Sequence, residues 1–501
     1  MIGGGVAGLA AALELAWAGL EVVLLEKGAV PGGKLAVHAV GGKPIDAGPT
    51  VLTMRWVFDE LLARGGTSLA DHLRLEPCEI LARHAFADGS RLDLFADAAR
   101  TEAAIGDLAG AAEAAGYRAF RTYARRIYET VEKPFLRSQR PGVTGMMGTA
   151  GLRLYGQLKA IDPWRTMWKA LGDHFRDPRL LQLFGRYATY TGSSPFLAPA
   201  TLHLVAHVEG EGVWRVPGGM YQLGELLTEL ARRAGVRIAC QADVAAITTS
   251  AGAADGVVLH GGERLEADAV ICNADAAALA AGAFGANVAR GARATEPRER
   301  SLSAVVLLQV AKARGFPLVR HNVFFGGDSE REFRQLFAGA SIPDDPTVYV
   351  CAQDRGDAEG AVDGAERLLV LVNAPAVGGS LGEREIEACR ERATQALARA
   401  GLRLEVEASE TLGPADWAAR FPATGGALYG RASHGWNAAF LRPGARTQTA
   451  GLYLAGGSVH PGAGVPMAAQ SGRLAAQALL EDLASTRRFQ PAAMRGGTST
   501  G

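Results

Sequence analysis

The chain has 501 residues, room for two or three domains, and its 48% hydrophobic and 21% charged content is that of an ordinary globular protein and excludes a wholly disordered one. Its 52 basic and 52 acidic residues cancel, so no global positive field draws it to nucleic acid. The five cysteines, Cys78, Cys240, Cys272, Cys351 and Cys389, are odd in number and widely spaced, with no His at metal-ligand spacing, which excludes a disulfide framework or metal site and reads as buried thiols in a reducing compartment. Ile2 to Leu25 is apolar but lacks a basic leader and carries Glu14 and Glu21, so the expectation is a soluble chain made in the cytoplasm.

The first stretch holds Gly3-Gly4-Gly5-Val6-Ala7-Gly8, a helix-like run from Ala10 to Gly19, the strand-like Val22 to Leu25, Glu26, and the doublet Gly32-Gly33-Lys34. This pattern predicts a dinucleotide site. Gly3 allows a tight turn out of a strand, Gly5 lets backbone approach a pyrophosphate, and Gly8 lets the next helix pack on the sheet with its N-terminal amides facing the ligand. Glu26 stands 18 positions after Gly8, at the end of a buried-type strand, where an acid holds a ribose hydroxyl. A glycine-rich structural turn is the other reading. The fingerprint leaves the cofactor open, but backbone clearance at Gly32-Gly33-Lys34 has a use for FAD and none for a nicotinamide dinucleotide. Only Met1 and Ile2 precede Gly3, so the first strand is expected to be cut short by a start a few residues late.

Gly41 to Thr50 is turn chemistry around one apolar step, either backbone held close to a ligand or a tight connection. From Leu61 to Arg140, strand-like pieces (Ile80 to Phe86, Leu92 to Phe95) alternate with helical ones (Ala98 to Ala115, Tyr117 to Val131), which departs from βαβ tempo and predicts an inserted substrate domain. Thr144 to Ala200 mixes apolar residues such as Met146, Met147, Trp164, Met167, Phe175 and Phe184 with Arg153, Arg165, Arg176 and Arg186. It reads either as helical core or as a peripheral contact with the bilayer, since no stretch reaches the roughly 18 charge-free residues of a spanning helix.

Val216-Pro217-Gly218-Gly219-Met220 resets the pattern: a helix from Gln222 to Ala234 and strands at Val236 to Cys240, Val244 to His260 and Ala267 to Ala274 return the chain to the cofactor domain. Ala276 to Arg446 leaves it again, with strands at Leu302 to Val310, Leu368 to Val372 and Leu402 to Thr411 and a helix from Glu383 to Ala400. The glycine-rich Thr424 to Trp436 holds Tyr429, Arg431, His434 and Trp436; taken alone, such a His is a surface or satisfied residue. Gly451 to Met467 is a second anchor, an apolar strand entering the cluster Gly456-Gly457 and then a helix from Met467 to Leu483. Two anchors at opposite ends of one chain serve a single elongated cofactor. The fold class is α/β: a discontinuous Rossmann-like domain (1–80, 210–275 and 447–484), an α+β substrate domain (81–209 and 276–446) and a frayed tail (485–501).

Together, Gly3-x-Gly5-x-x-Gly8 with Glu26 and Gly32-Gly33-Lys34, Asp46-Ala47-Gly48-Pro49-Thr50, Val216 to Met220, and Gly456-Gly457-Ser458-Val459-His460-Pro461-Gly462-Ala463-Gly464-Val465 resemble the bacterial phytoene desaturase family of carotenoid dehydrogenases. The resemblance spans essentially the whole chain; Val459 stands where the family usually has Thr or Ala. Gly425 to Trp436, followed by Leu441-Arg442-Pro443, is most similar to the subgroup acting on 1-hydroxy or 1-methoxy acyclic carotenoids, the hydroxyneurosporene 3,4-desaturases.

The resemblance implies the FAD-binding fold shared with amine oxidases, non-covalent FAD, and a long polyene delivered from the membrane lipid surface to a peripherally associated enzyme. It places Gly3, Gly5, Gly8, Gly33 and Lys34 along the pyrophosphate region, Glu26 on the adenosine ribose, backbone at Val244 on the adenine edge, and Gly456, Gly457, Val465, Pro466 and Met467 along the ribityl chain and isoalloxazine. Desaturation removes a hydride to the flavin and a proton from the adjacent carbon, with oxygen or a quinone as the final acceptor. It assigns no catalytic residue; His434, Arg431 and His460 are the candidates, and the loop of Tyr429, Arg431 and His434 is the candidate reader of a polar end group. Rival readings are a phytoene desaturase proper, a flavin amine oxidase, and a non-enzymatic isoprenoid carrier on the same fold.

Overall fold

Short parallel strands drawn from four distant parts of the chain make the first sheet, and only Ile2 and Val23–Glu26 are neighbours in both space and sequence. The computed structural model describes residues 1–139, 159–356, 362 and 364–486. The strands lie in the order Arg237–Cys240, Val23–Glu26, Ile2, Val270–Cys272, Leu452–Leu454, with Val23 opposite Arg237, Ile2 bridging Leu25 and Cys272, and Val270 opposite Leu452. The first strand is reduced to this single bridge, in which Gly3 N donates to Leu25 O at 2.7 Å and Leu25 N to Met1 O at 2.9 Å.

The strands are apolar on both faces because both are covered. Leu24, Ile271 and Tyr453 pack under the helices Val6–Trp17, Tyr221–Arg233 and Val465–Thr486. Leu25, Val270, Cys272 and Leu454 face an antiparallel meander of Val244–Ser250, Ala253–Leu259 and Arg264–Glu266. The first and last helices touch backbone to backbone: a Cβ on Gly472 would stand 2.1 Å from Ala7 O. At their side, the buried Glu14 accepts from Arg473 at 3.1 Å and Arg64 at 2.5 Å, which ties in the helix Trp56–Arg64.

A seven-stranded mixed sheet forms the second half, in the order Arg403–Leu412, Ser303–Arg314, Glu366–Ala374, Val348–Ala352, His321–Phe324, Ile80–Ala85, Arg91–Phe95. Only His321–Phe324 and Ile80–Ala85 pair in parallel. The helix Glu383–Arg399 covers one face. Beyond the Ile80–Ala85 edge, the helices Ala111–Val131, Pro178–Gly185 and Leu204–Gly210 enclose an aromatic core in which Phe120, Phe175 and Phe184 meet at centroid distances of 4.9 to 5.5 Å. Met167, Leu171, Phe175, Leu180 and Leu183 are buried there, so this part of the stretch with two readings is helical core, whereas Trp164 is 57% exposed. Met146, Met147 and Arg153 lie outside the described residues.

Asp46, buried at the end of the strand Lys43–Asp46, joins the two halves. Its backbone exchanges two 3.0 Å hydrogen bonds with the Gln353 side chain, and its carboxylate accepts from the amides of Met220 (2.6 Å) and Tyr221 (3.1 Å) at the start of a helix. Desolvation holds its pKa above the usual carboxylate range despite those amides.

The contact between Gly472 and Ala7 sets a clear expectation. Gly472→Ala should lower the unfolding free energy by about 1–3 kcal/mol, because the added methyl forces two packed helices apart. Urea denaturation measures it, and a wild-type midpoint would mean the helix pair has slack at that point.

Candidate active site

A cavity of about 1370 Å³ runs between the two sheets, larger than the roughly 300–1,000 Å³ of most single-ligand sites. One end is built from glycine turns. Gly3 turns the chain out of its strand at φ +89°, and a Cβ on Gly8 would stand 2.1 Å from Gly3 O. Gly33, at φ +60°, lies so close to Gly5 that its Cβ would come within 2.9 Å of Gly5 Cα. The amides that open the helix Val6–Trp17 therefore face a cradle that side chains would fill. Glu26, at its strand end, accepts from Gly4 N and Gly28 N, both at 2.7 Å, which fixes the carboxylate at the cavity wall.

Three cations gather around these turns. Lys34 Nζ donates to Leu428 O at 2.5 Å, Arg420 to Gly33 O at 2.8 Å, and Arg442 to Tyr429 O and Gly457 O, each at 3.0 Å. Desolvation lowers the pKa of all three, that of Arg442 to about 10. Among the described residues Lys34 and Arg420 have carbonyl partners and no carboxylate in ion-pair range. Positive charge without a counter-ion, next to a side-chain-free cradle and helix amides, fits the diphosphate of a dinucleotide.

Gly3, Gly5, Glu26, Gly33, Lys34, Val244, Gly456, Gly457, Val465, Pro466 and Met467 all line this cavity, and Gly8 stands behind it against Gly3. Arg431, His434 and His460 do not line it. Arg431 makes a two-pronged ion pair with Glu299 at 2.6 and 2.7 Å. His434 Nε2 accepts from Ser194 N at 2.9 Å, with its pKa lowered to about 4 by burial. His460 Nε2 meets Ser138 O at 3.0 Å, and its ring packs edge-on against Phe135.

Three residues that sequence reasoning left without a role belong to the site. Asn273 ends the strand Val270–Cys272; its Nδ2 donates to Gly3 O at 3.2 Å, and its Oδ1 lies 3.1 Å from where a Cβ of Gly456 would stand, so it spans both glycine clusters. Arg420 and Arg442 supply charge from the far half of the chain. Asn273 had a usable signal: like Glu26, it stands at the carboxyl end of a buried parallel strand, where ligands of such sheets bind.

Away from the glycines the cavity turns apolar, walled by Val306, Val323, Phe325, Leu369 and Leu371 from the mixed sheet and by Leu204, Val205 and Val208 from a helix. Trp164 and Trp436 line it yet are 57% and 60% exposed, which marks its mouth. Leu197, 49% exposed, adjoins them through Gly435 N to Leu197 O at 3.0 Å.

A parallel dinucleotide sheet roofed by a mixed sheet, with an apolar space for a second ligand between them, defines a flavin-dependent oxidoreductase. The chain belongs to the flavin containing amine oxidoreductase family, whose model matches residues 6–480. It is 48% identical to a hydroxyneurosporene desaturase of Rubrivivax gelatinosus, covering 100% of this chain and 96% of that protein, and 44% identical to one of Cereibacter sphaeroides (97% and 98%). A 4,4'-diapolycopene oxygenase of a Methylomonas species is 32% identical over 96% of this chain and 98% of its own. Among solved structures, a putrescine oxidase superposes with TM-score 0.60 at 15% identity, covering 96% of this chain and 98% of that one, which shows the fold. The expected flavin and the amine-oxidase type of fold are thereby established.

Glu332, also on the cavity wall, accepts from Thr347 N (3.0 Å) and Oγ1 (2.7 Å), and burial raises its pKa from 4.5 to about 7. The folded state holds that proton more tightly than the unfolded chain, so the stabilisation is full below about pH 4.5 and lost as pH rises through about 7. Glu332→Gln should remove this slope, and thermal melts at pH 5 and pH 8 should show a wild-type loss of stability that the variant lacks.

Proposed function

We propose that this chain is a carotenoid desaturase that introduces the C-3,4 double bond into an acyclic carotenoid bearing a 1-hydroxy or 1-methoxy group. The observation that carries it is one continuous cavity joining the glycine cradle to a long apolar space, in a chain 42–48% identical to hydroxyneurosporene desaturases. A polyene offers almost nothing to hydrogen-bond, so an aliphatic and aromatic wall suits it.

In this reading Gly3, Gly5, Gly8, Gly33 and Lys34 hold the pyrophosphate region of FAD, Glu26 its ribose, Val244 its adenine edge, and Gly456, Gly457, Val465, Pro466 and Met467 its remaining length. Bound FAD supplies a two-electron acceptor for the hydride from one carbon. The apolar walls exclude water and hold the polyene so that the scissile C–H is presented in one register. The second hydrogen leaves as a proton from the adjacent carbon, made more acidic by conjugation. Oxygen or a membrane quinone takes the electrons in the end.

The substrate dissolves in lipid, and the exposed Trp164, Leu197 and Trp436 at the mouth support docking of that rim on the bilayer surface, where tryptophan partitions to headgroup depth. No described helix is long and apolar enough to cross a membrane.

Anaerobic mixing of the FAD-loaded enzyme with liposomes carrying 1-hydroxyneurosporene should bleach the flavin and red-shift the polyene band. Bleaching by phytoene instead moves the enzyme to an earlier desaturation, and bleaching by an amine alone returns it to amine oxidation. For the rim, Trp164→Ser/Trp436→Ser should reduce co-flotation with vesicles; unchanged flotation removes this mouth from the membrane contact.

A further inference from the structure

Besides Glu332 and Thr347, the apolar half of the cavity carries a concentrated polar spot. Arg186, which follows the helix Pro178–Gly185, lines the wall with Tyr190, Tyr349 and Thr50. Tyr187 and Tyr190 both donate their phenol hydrogens to Glu209, Tyr190 at 2.5 Å. Tyr349 OH lies 2.7 Å from both Thr50 Oγ1 and His321 Nδ1. The guanidinium of Arg186 sits 5.7 Å from the Tyr190 ring centroid. Its Nε has no hydrogen-bond partner and no carboxylate lies within ion-pair range of it among the described residues; desolvation works against its charge, but Tyr190, which its guanidinium meets, and Glu209 behind Tyr190 outweigh that and raise its pKa. His321 has its pKa lowered to about 3 chiefly by burial, and of the two arginines that act on it, Arg320 and Arg186, Arg186 is the one that lines the cavity.

Three interior arginines are paired directly, Arg355 with Glu366 at 2.6 Å, Arg83 with Asp93 at 2.7 Å and Arg431 with Glu299 at 2.6 Å, whereas the buried Arg320 rests on Gln353 O and does not line the cavity. An arginine on an apolar wall whose Nε has no partner, and whose counter-charge stands behind a tyrosine, has donor hydrogens left for a ligand atom that accepts from it. The donor and acceptor pattern narrows that ligand. Arg186 can only donate, and Tyr190, its hydrogen committed to Glu209 and one lone pair to Arg186, can only accept through the other. An alcohol satisfies both, an ether oxygen satisfies Arg186 alone, and a hydrocarbon terminus satisfies neither.

Position adds a second constraint, which rests on the desaturase reading above. A 1-hydroxyl is three bonds from C-3, so whatever reads it must stand beside the bond being oxidised and not at the far end of the polyene. Thr50 belongs to the turn after Asp46, where a Cβ on Gly48 would come within 1.8 Å of Lys34 O, so the polar spot adjoins the cofactor loop. In the loop of Tyr429, Arg431 and His434, Arg431 is held by Glu299 and His434 Nε2 by Ser194 N, and neither lines the cavity, whereas Tyr429 does. We propose that Arg186 and Tyr190 are the specificity-determining pair that binds the oxygen at the substrate's 1-position, with Glu209 as the positioning residue that orients Tyr190.

The test uses the full-length, FAD-loaded enzyme and compares kcat/KM for 1-hydroxy, 1-methoxy and unsubstituted acyclic carotenoids in identical liposomes. Wild type should prefer them in that order. Arg186→Gln should reduce the preference for hydroxylated over unsubstituted substrate by about 10- to 100-fold, the range for a site that loses a buried polar contact to its substrate. Tyr190→Phe, which leaves Tyr187 on Glu209, should reduce the preference for hydroxy over methoxy by about 10-fold and spare that for methoxy over hydrocarbon. If Arg186→Gln does not fold, the Tyr190→Phe ratios decide, with flavin content and melting temperature as controls. Ratios equal to wild type in a folded, flavin-replete variant overturn the assignment while the desaturase reading stands. Wild-type turnover of none of the three polyenes overturns that reading, and this one with it.

Discussion

Backbone packed directly on backbone is the constraint from which the rest of this structure follows. Gly8 lies on the carbonyl of Gly3, Gly33 on Gly5, Gly48 on the carbonyl of Lys34, and Gly472 on that of Ala7, each too close for a Cβ. These contacts draw the first helix, the loop after the second strand, the hairpin that ends in Asp46 and the last helix around one place. A ligand there meets peptide dipoles and amides with no side chain intervening. The cavity is elongated because the elements that meet at the cradle diverge from it, one set toward the parallel sheet and the other toward the mixed sheet.

Electrostatics divides the interior into two regimes. Arg355, Arg83 and Arg431 are paired with carboxylates inside the protein and serve the fold. Lys34 and Arg420 face the cavity at the cradle on carbonyl partners alone, while Arg186 stands among tyrosines on the apolar wall with Glu209 behind them. A cation without a carboxylate in contact is costly in low dielectric, so Lys34 and Arg420 lie where a ligand brings negative charge. The same logic separates two kinds of histidine: His434 has a structural hydrogen bond and no access to the cavity, whereas His321 supports Tyr349 at its edge.

Much of this was legible in the sequence, for local reasons. The Gly3 to Gly8 turn, the acid at the end of Val23–Glu26 and the Gly456 cluster are short-range patterns whose geometry is decided within a few residues. The return of the chain to its first sheet through Val270–Cys272 and Leu452–Leu454 followed from buried-strand composition. What stayed hidden depends on distant partners. Asn273 is an unremarkable polar residue until it spans two glycine turns, and Arg420 and Arg442 are ordinary arginines until folding places them beside Gly33 and Gly457. Arg431 and His434 stood out because they sit among glycines, and folding anchors them to Glu299 and Ser194, away from the cavity lining.

The order of strands in the parallel sheet has a consequence for biosynthesis. Ile2, at the centre, has on one side a strand made early and on the other strands made only after residues 270 and 452 have been added. The cradle then needs the helix from Val465 onward to be completed, so during translation the N-terminal fingerprint emerges long before it can bind anything. The nascent chain must keep an apolar first helix, nearly all alanine, leucine and valine, from other partners until its closing segment leaves the ribosome. The complete cradle is therefore a whole-chain feature, present only where the Gly3 and Gly456 turns have met across Asn273.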